Sequence, residues 1–182
     1  PVPWRFERWA PVLGLGSFVA EATVQREAGA AVLRLRSERS GFLVGREASL
    51  TLGPLRRARW RWKAEVLPTG GDFRRRATND QALQLLFGFQ GGKVLGYLWD
   101  SQSPQGASGS GLAWRKDVRV LVLRSGPQGL GQWQNEERDL IADYQRLFGT
   151  PPPPLVGLAI QSNSQHTASR ALGAVGPIEL LP

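Results

Sequence analysis

The sequence of 182 residues contains no cysteine and only one histidine. Without cysteine the chain can form neither disulfides nor thiolate metal sites, and it has no thiol nucleophile. A single histidine, His166, excludes metal centres built from several histidines. A Ser-His-Asp triad stays formally possible, but no Gly-x-Ser-x-Gly elbow precedes His166, and we interpret it as a solvated loop residue.

Long apolar runs and phosphate-binding glycine loops are also missing. No run reaches the roughly 18 apolar residues of a membrane-spanning helix, so we expect no transmembrane segment. Gly14-Leu15-Gly16 lacks the downstream glycine and the following helix of a nucleotide-binding loop. We therefore expect no cofactor.

Lysine is scarce, since only three of the 23 basic residues are lysines, yet the net charge is +8 and the pI about 11.1. The bias toward arginine is what a GC-rich genome produces. A basic surface favours polyanions such as nucleic acid, anionic lipid or acidic glycans. Because the arginines are scattered along the chain, we do not expect nucleic acid as the partner.

The length and the 41% hydrophobic content suit one globular domain, and 22 glycines with 13 prolines indicate many turns. We interpret residues 1–16 as an N-terminal arm whose aromatic residues Trp4, Phe6 and Trp9 tuck onto the domain. Residues 17–182 are predicted to form a single β-sandwich domain.

Residues 55–67 carry the clearest pattern in the chain. Ala58, Trp60 and Trp62 fall on one side of a strand, while arginines and a lysine alternate with them on the other. Tryptophans on a sheet face are either core or a stacking platform for a sugar. The apolar neighbours favour core.

Two hairpins and further strands are predicted around this strand. Residues 18–25 and 31–37 flank a short turn, and residues 81–90 and 93–100 flank Gly91-Gly92. Further strands are expected at 117–124, 155–161 and 175–181, and residues 101–111 are expected to form an exposed, mobile loop.

A helix is predicted at about 136–148, because the apolar period changes there from two to that of a helix. Asn135 is the expected N-cap, and Gly149 ends the helix before a proline run. The fold prediction is therefore mainly all-β, an antiparallel, jelly-roll-like β-sandwich with one crossover helix.

Pairing across Gly91-Gly92 assigns the second hairpin two faces. The predicted core face carries Leu85, Phe87, Phe89, Val94 and Leu98. The other face carries the mixture of amide, aromatic and cationic groups typical of a carbohydrate cleft, and its candidate ligand-binding residues are Gln84, Lys93, Tyr97 and Trp99.

Three carboxylates in loops or at strand ends are the weak catalytic candidates, namely Asp72, Asp80 and Asp100. Two of them at one rim would suit glycoside hydrolysis or Ca²⁺ binding. The alternative is that each caps a turn or pairs with an arginine such as Arg74, Arg75 or Arg76.

The order of several motifs resembles DUF3047, a bacterial and typically exported family of unknown function. These motifs are Trp60–Lys63, Leu67–Asp72, Asn79–Ala82, Tyr97–Asp100, Trp133–Asp139, Asp143-Tyr144 and Phe148-Gly149. The resemblance covers roughly residues 30–181. It implies a β-sandwich with no assigned activity, and a periplasmic or extracellular location. The chain opens at Pro1 without a charged-then-apolar leader, so we expect that a signal peptide was removed or the chain trimmed.

Family members carry an acidic segment before the last strand, whereas this chain has amides there, at Asn163 and Gln165. Neutral carbonyl oxygens hold Ca²⁺ less strongly than carboxylates do, so we expect no metal at residues 162–167.

Three functions follow as hypotheses. The first is a non-catalytic module of the bacterial envelope or exterior that binds a glycan or another anionic polymer. The second is a glycan-active hydrolase or lyase that uses the rim carboxylates, and the third is a structural or assembly protein of the cell envelope.

Overall fold

The structure is a computed structural model that describes residues 3–8, 18–112 and 115–182, with the backbone alone at 112, 115 and 116. One α-helix, a 3₁₀ turn (Arg76–Thr78) and twelve strands occur in the described ranges. They are β1 (Arg5–Arg8), β2 (Val19–Glu27), β3 (Ala30–Glu38), β4 (Gly41–Leu50), β5 (Arg57–Val66), β6 (Leu83–Phe89), β7 (Val94–Asp100), β8 (Ser108–Leu112), β9 (Arg115–Ser125), β10 (Gln134–Asp139), α1 (Leu140–Phe148), β11 (Leu155–Asn163) and β12 (Arg170–Leu181).

The strands form two sheets that face each other. The seven-stranded sheet has the order β1-β4-β11-β6-β7-β9-β8, and the five-stranded sheet has the order β10-β5-β12-β3-β2. Every pairing is antiparallel except that of β7 with β9. The predicted β-sandwich with a single helix is confirmed. No helix in the described part of the chain has the length and hydropathy of a membrane span.

Aromatic side chains fill the space between the sheets. On β5, Trp60 and Trp62 point inward and are buried, as the alternation predicts. The Trp60 ring lies 5.3 Å from that of Tyr97, and the Trp62 ring lies 6.2 Å from that of Trp99. Burial of such large rings removes a large apolar area from water.

The first predicted hairpin is confirmed, and the turn between β2 and β3 contains only two residues. Glu27 pairs with Ala30, which leaves Ala28 and Gly29 as a two-residue turn. Both have positive φ, 51° and 81°, as the right-handed twist of a two-residue hairpin requires.

The helix begins later than predicted. Residues 134–139 form β10, which pairs with β5, and the helix N-cap is Asp139 rather than Asn135. The Asp139 carboxylate accepts a hydrogen bond from the Ala142 N–H. The predicted end is correct, because Gly149 adopts the left-handed conformation and its N–H donates to the Gln145 carbonyl.

The segment 101–111 is only in part the exposed loop that its composition predicts, because residues 101–107 lie outside the strands and residues 102 and 104–106 are exposed. Ser108–Leu112 form β8 at the edge of the seven-stranded sheet, and Ser103 is fully buried. The loop between β5 and β6 contributes Phe73, which packs with Leu98 and Val120 on the outer face of β7 and β9.

Part of the predicted N-terminal arm is a strand. Arg5–Arg8 form β1, which pairs with β4 and places the Phe6 ring 5.2 Å from that of Phe42. Trp9, assigned to the same arm, lies outside the described residues.

Candidate functional site

The hairpin of β6 and β7 has a register one residue away from the predicted one. Leu85 pairs with Tyr97, and Phe87 pairs with Leu95. Phe89 N–H donates to the Lys93 carbonyl, so the turn contains three residues instead of two. Because strand side chains alternate, a slip of one residue moves every side chain of β7 to the opposite face.

This slip places both predicted ligand-binding aromatics in the core. Tyr97 and Trp99 are fully buried between the sheets, so their placement on an open face was wrong. Leu85, Phe87 and Phe89 lie in the core as predicted. Val94 was assigned to the core face wrongly, since it lies on the outer face. Leu98 is buried as predicted, but on the opposite face of β7, where it packs with Phe73 in a separate cluster.

The polar atoms of these two rings donate hydrogen bonds to neighbouring elements. Tyr97 Oη donates to Asp143 Oδ2 at 2.8 Å, and Trp99 Nε1 donates to the Gly126 carbonyl at 3.2 Å. Burial raises the pKa of Tyr97 well above its ordinary value, and the negative charge of Asp143 adds to the effect. A ring held in this way is not available to a ligand.

The other two members of the predicted site are also separated. Gln84 is buried, and its Nε2 donates to Asn163 Oδ1 at 2.7 Å. Lys93 places its ammonium 5.8 Å from the ring of Tyr144 and 5.3 Å from that of Phe148. The structure therefore does not bring the four predicted residues together at one surface.

Asp72 and Asp100 are buried and share the donor residue Ser103. The Ser103 hydroxyl donates to Asp72 Oδ1, and the Ser103 N–H donates to Asp100 Oδ1, both at 2.8 Å. Arg74 binds both Asp72 oxygens and holds the pKa of that carboxyl well below its usual range. Asp100 also accepts from the Phe73 N–H and from Gln81 Nε2.

Asp80, the third carboxylate, is fully buried and accepts four hydrogen bonds. Oδ1 accepts from Asn163 Nδ2 at 2.9 Å and lies 3.1 Å from His166 Nδ1. Oδ2 accepts from the N–H of Thr167 at 2.7 Å and from its hydroxyl at 2.8 Å. His166 is exposed, as predicted for a loop residue, but its Nδ1 contacts this carboxylate.

Hydrolysis by two of these acids requires them to face an open cleft. All three are instead buried and engaged by turn amides, hydroxyls or Arg74, so they join the loops at one end of the sandwich. No group of three or more metal-ligating His, Asp or Glu residues occurs in the part of the chain that the structure describes.

The two outer faces of the sandwich differ sharply in chemistry. The five-stranded sheet carries a lattice of ion pairs, in which Lys63 bridges Glu27 and Glu65, and Glu137 bridges Arg57 and Arg59. Several cations and anions of this face therefore neutralise one another.

The outer face of the seven-stranded sheet carries a groove floored by small residues, which we call the glycine groove. On the adjacent strands β4, β11 and β6, Gly45 pairs with Ala159, and Gly157 pairs with Gly88. The groove has a volume of 320 Å³. Its lining consists of Arg5, Glu7, Leu43, Gly45, Arg46, Glu47, Leu86, Gly88, Val94, Gly157, Leu158 and Ala159.

No steric reason in the fold requires glycine at the two central positions. A Cβ atom on Gly88 would meet nothing closer than 3.8 Å, and one on Gly157 nothing closer than 3.5 Å. Neither residue has positive φ. Glycine within a strand weakens it and is typical of places where a ligand or another backbone approaches closely.

Charged side chains of both signs stand along one side of the glycine groove. Arg5 and Glu47 lie 3.7 Å apart and are both largely exposed, and Glu7 lies on the same face of β1. Exposed pairs of this kind contribute little to stability, so their hydrogen-bonding capacity stays available to a ligand.

The sequence reasoning missed this groove entirely, because β4 was not predicted. The usable signal was the presence of Gly45, Gly88 and Gly157 inside extended segments rather than at turns.

Comparison with known proteins gives one family match. A model of a family described as "Protein of unknown function (DUF3047)" matches residues 17–179. None of the curated proteins matches the sequence.

Similar solved structures include three proteins at low identity. TmCBM61 in complex with β-1,4-galactotriose is 11% identical, with 98% of this chain and 88% of that one covered and a TM-score of 0.47. The family 11 carbohydrate-binding module of the cellulosomal cellulase Lic26A-Cel5E of Clostridium thermocellum is 10% identical, with 98% and 86% covered and a TM-score of 0.44. The xyloglucanase domain of NopAA, a type three effector from Sinorhizobium fredii, in complex with cellobiose, is 11% identical, with 97% of both chains covered and a TM-score of 0.46.

Proposed function

The chain belongs to the DUF3047 family, as its motifs indicated, and for this family member we propose a non-catalytic module that binds a glycan chain in the glycine groove. We place this activity in the envelope or outside the cell. The observation that carries the proposal is the floor of Gly45, Gly88, Gly157 and Ala159 across three adjacent strands.

The floor suits the flat side of a sugar ring. Over Gly88 and Gly157 no side chain separates a ligand from the sheet backbone, so a ring can lie directly on it. Leu43, Leu86 and Val94 border the floor and would contact the C–H groups of the sugar. Contact of this kind removes apolar surface from water on both partners.

The rim supplies groups that match sugar hydroxyls. Carboxylates accept hydrogen bonds and guanidinium groups donate them, and bonds to charged groups are the stronger ones. Glu7, Glu47 and Arg5 offer both functions along one side of the groove.

The net charge of +8 further favours acidic polysaccharides over neutral ones. Long-range attraction of this kind is screened at high ionic strength, because the Debye length falls to about 8 Å at physiological salt. Binding of an acidic glycan should therefore weaken as salt is added, and binding of a neutral glycan should not.

The test fills the groove without disturbing the strand. Gly88→Ala and Gly88→Leu add increasing bulk at a site where a Cβ atom makes only ordinary van der Waals contacts, and Gly53→Leu adds bulk at a loop position with no atom within 4 Å. The variants are compared with the wild type by affinity electrophoresis in gels that contain polygalacturonate, alginate or a neutral β-glucan.

We expect Gly88→Leu to weaken binding at least tenfold, Gly88→Ala to weaken it less, and Gly53→Leu to leave it unchanged. Wild-type retardation that persists unchanged in a folded Gly88→Leu variant would refute the site. Absence of binding to all three polysaccharides would count against the glycan as ligand.

A second candidate is the structural or assembly function. Its specific support is the burial of Tyr97, Trp99, Trp60 and Trp62, which leaves no aromatic platform on β5 or β7. Sedimentation velocity separates the two: an assembly function predicts self-association of the wild type that Gly88→Leu reduces, whereas glycan binding predicts no change in oligomeric state.

A further inference from the structure

A second and larger cavity opens between the two sheets, at the side where β1 and β4 face β2 and β3. We call it the inter-sheet cleft. Its volume is 860 Å³, within the roughly 300–1,000 Å³ typical of small-molecule sites. Deep inside, the cleft is lined by core residues that include Val44, Phe87, Ile160 and Val175.

Among the described residues, the charged and hydroxyl groups of the cleft all come from one wall, formed by β1 and β4. Arg5, Arg46, Glu47 and Ser49 line it from β1 and β4, together with the indole of Trp4. The strands β2, β3, β11 and β12 contribute only aliphatic side chains, glycine and proline to the lining. The cleft is therefore amphipathic, with two arginines, one glutamate and one serine on the wall of β1 and β4 and an aliphatic lining on the other strands.

Exposed hydrophobic side chains are concentrated at the mouth. Trp4 is 46% exposed, Phe6 48% and Val24 75%, and all three line the cleft. Only two other large hydrophobic residues in the described ranges are comparably exposed, Leu55 and Val156. Apolar groups gathered at one opening mark a binding site rather than the scattered exposure usual for a surface.

Arg46 is the cation best placed to receive an anion. Its guanidinium lies 5.7 Å from the centroid of the Trp4 ring, and within the described ranges no carboxylate pairs with it. Arg5 adds a second positive charge, which Glu47 neutralises only weakly across 3.7 Å at the surface.

We propose that the inter-sheet cleft binds a single-chain anionic amphiphile, with the alkyl chain among the core side chains and the anionic head group at Arg46. An alkyl chain has no polar groups to satisfy and so matches the aliphatic lining of the cleft. A peptide would bury backbone donors and acceptors there without hydrogen-bond partners. This site is separate from the floor of the glycine groove, although the two cavities share Arg5, Arg46, Glu47 and Leu158.

The experiment uses three twelve-carbon amphiphiles below their micelle concentrations: dodecanoate, dodecyltrimethylammonium and dodecyl maltoside. Each displaces the fluorescent fatty acid cis-parinaric acid from the purified chain. Val24→Glu places a carboxylate at the mouth, and Val156→Glu makes the same change at a residue that is 42% exposed and lines neither cavity. Arg46→Gln removes the proposed head-group contact.

We expect dodecanoate to bind at least tenfold more tightly than dodecyltrimethylammonium, with the maltoside between them. Val24→Glu and Arg46→Gln should each weaken dodecanoate at least tenfold, while Val156→Glu and Gly88→Leu should leave it unchanged. Equal affinity for the three head groups would overturn the proposal, as would equal losses in Val24→Glu and Val156→Glu or absence of parinaric acid binding. Loss of glycan binding in Gly88→Leu with dodecanoate binding intact would show that the two sites are separate.

Discussion

Tyr97 and Asp143 join the core of the seven-stranded sheet to the helix through one buried hydrogen bond, 2.8 Å from Oη to Oδ2. Asp143 lies in the first turn of the helix, and Arg138, at the end of β10, donates two hydrogen bonds to its carboxylate. The carboxylate thus connects the seven-stranded sheet, the helix and the five-stranded sheet. The Asp-Tyr motif of the sequence is therefore part of the architecture.

Tyr97→Phe should destabilise the fold by about 1–2 kcal/mol. The substitution removes a hydrogen bond to a charged, buried acceptor, and bonds of this type contribute about 1.5–3 kcal/mol. Arg138 continues to neutralise Asp143, which limits the loss. The measurement is the free energy of unfolding in urea at neutral pH.

Tyr144→Phe is the matched control for that experiment. Tyr144 is also fully buried, but its hydroxyl has no hydrogen-bond partner within the described part of the chain. Removal of a buried, unpaired hydroxyl should leave the free energy of unfolding unchanged or raise it. Equal losses in the two variants would contradict the contribution assigned to the bond between Tyr97 and Asp143.

Acid should destabilise the protein partly through Asp72. Its pKa in the folded state lies well below the ordinary value of about 3.9, chiefly because Arg74 binds the carboxylate. A depressed pKa contributes stability that is complete above about pH 5 and is lost as the pH falls through 4 toward the folded-state value. In Asp72→Asn, the free energy of unfolding should fall less steeply between pH 5 and pH 2.

Arg74→Gln tests the cause of that shift. Without the guanidinium the folded-state pKa of Asp72 should rise toward its ordinary value, which lowers stability at pH 7 and flattens the acid dependence. Urea titrations at several pH values measure both effects. An acid dependence as steep in both variants as in the wild type would assign the acid sensitivity to other carboxylates.

Hydrophobic periodicity predicted which residues share a face far better than where that face points. It placed Trp60 and Trp62 correctly, because β5 alternates over its whole length and its polar side is strongly charged. On β7 both faces are apolar, so the register depended on the turn, and a three-residue turn reversed the assignment of Tyr97 and Trp99.

Other errors came from pairing between distant segments. Residues 134–139 have the acidic composition of a helix start, yet they form β10, which pairs with β5 at the edge of the five-stranded sheet. Pairing with a strand so distant in the chain is not encoded in the local sequence. The glycine groove also depends on distant segments, since Gly45, Gly88 and Gly157 meet only when β4, β11 and β6 are aligned.

Gly71→Ala should destabilise the fold by at least about 2 kcal/mol. A Cβ atom at this position would lie 2.3 Å from the backbone oxygen of Asp80, which cannot move without displacing the loop. Overpacking against rigid atoms costs about 1–3 kcal/mol or more. Gly53→Ala is the control, because no atom lies within 4 Å of the Cβ position at residue 53. This substitution should change neither the fold nor the free energy of unfolding. Urea unfolding midpoints that agree for the two variants would contradict the tight contact.

Chelation should leave the melting temperature unchanged, because the polar groups of Asn163 and of the neighbouring Asp80 already form hydrogen bonds within the protein. Asn163 Oδ1 accepts from the Gln81 N–H and from Gln84, and the four hydrogen bonds to Asp80 occupy both carboxylate oxygens. A Ca²⁺ ion needs six to eight oxygen ligands and would have to break these bonds against a net charge of +8.

Asp80→Asn distinguishes a carboxylate that only accepts hydrogen bonds from one that binds a metal ion. It leaves the donors of Thr167 facing an amide and should cost roughly 2–4 kcal/mol, by the same amount in EDTA and in calcium. A wild-type melting temperature that falls by several degrees in EDTA, with no such fall in Asp80→Asn, would instead establish a metal site at this carboxylate.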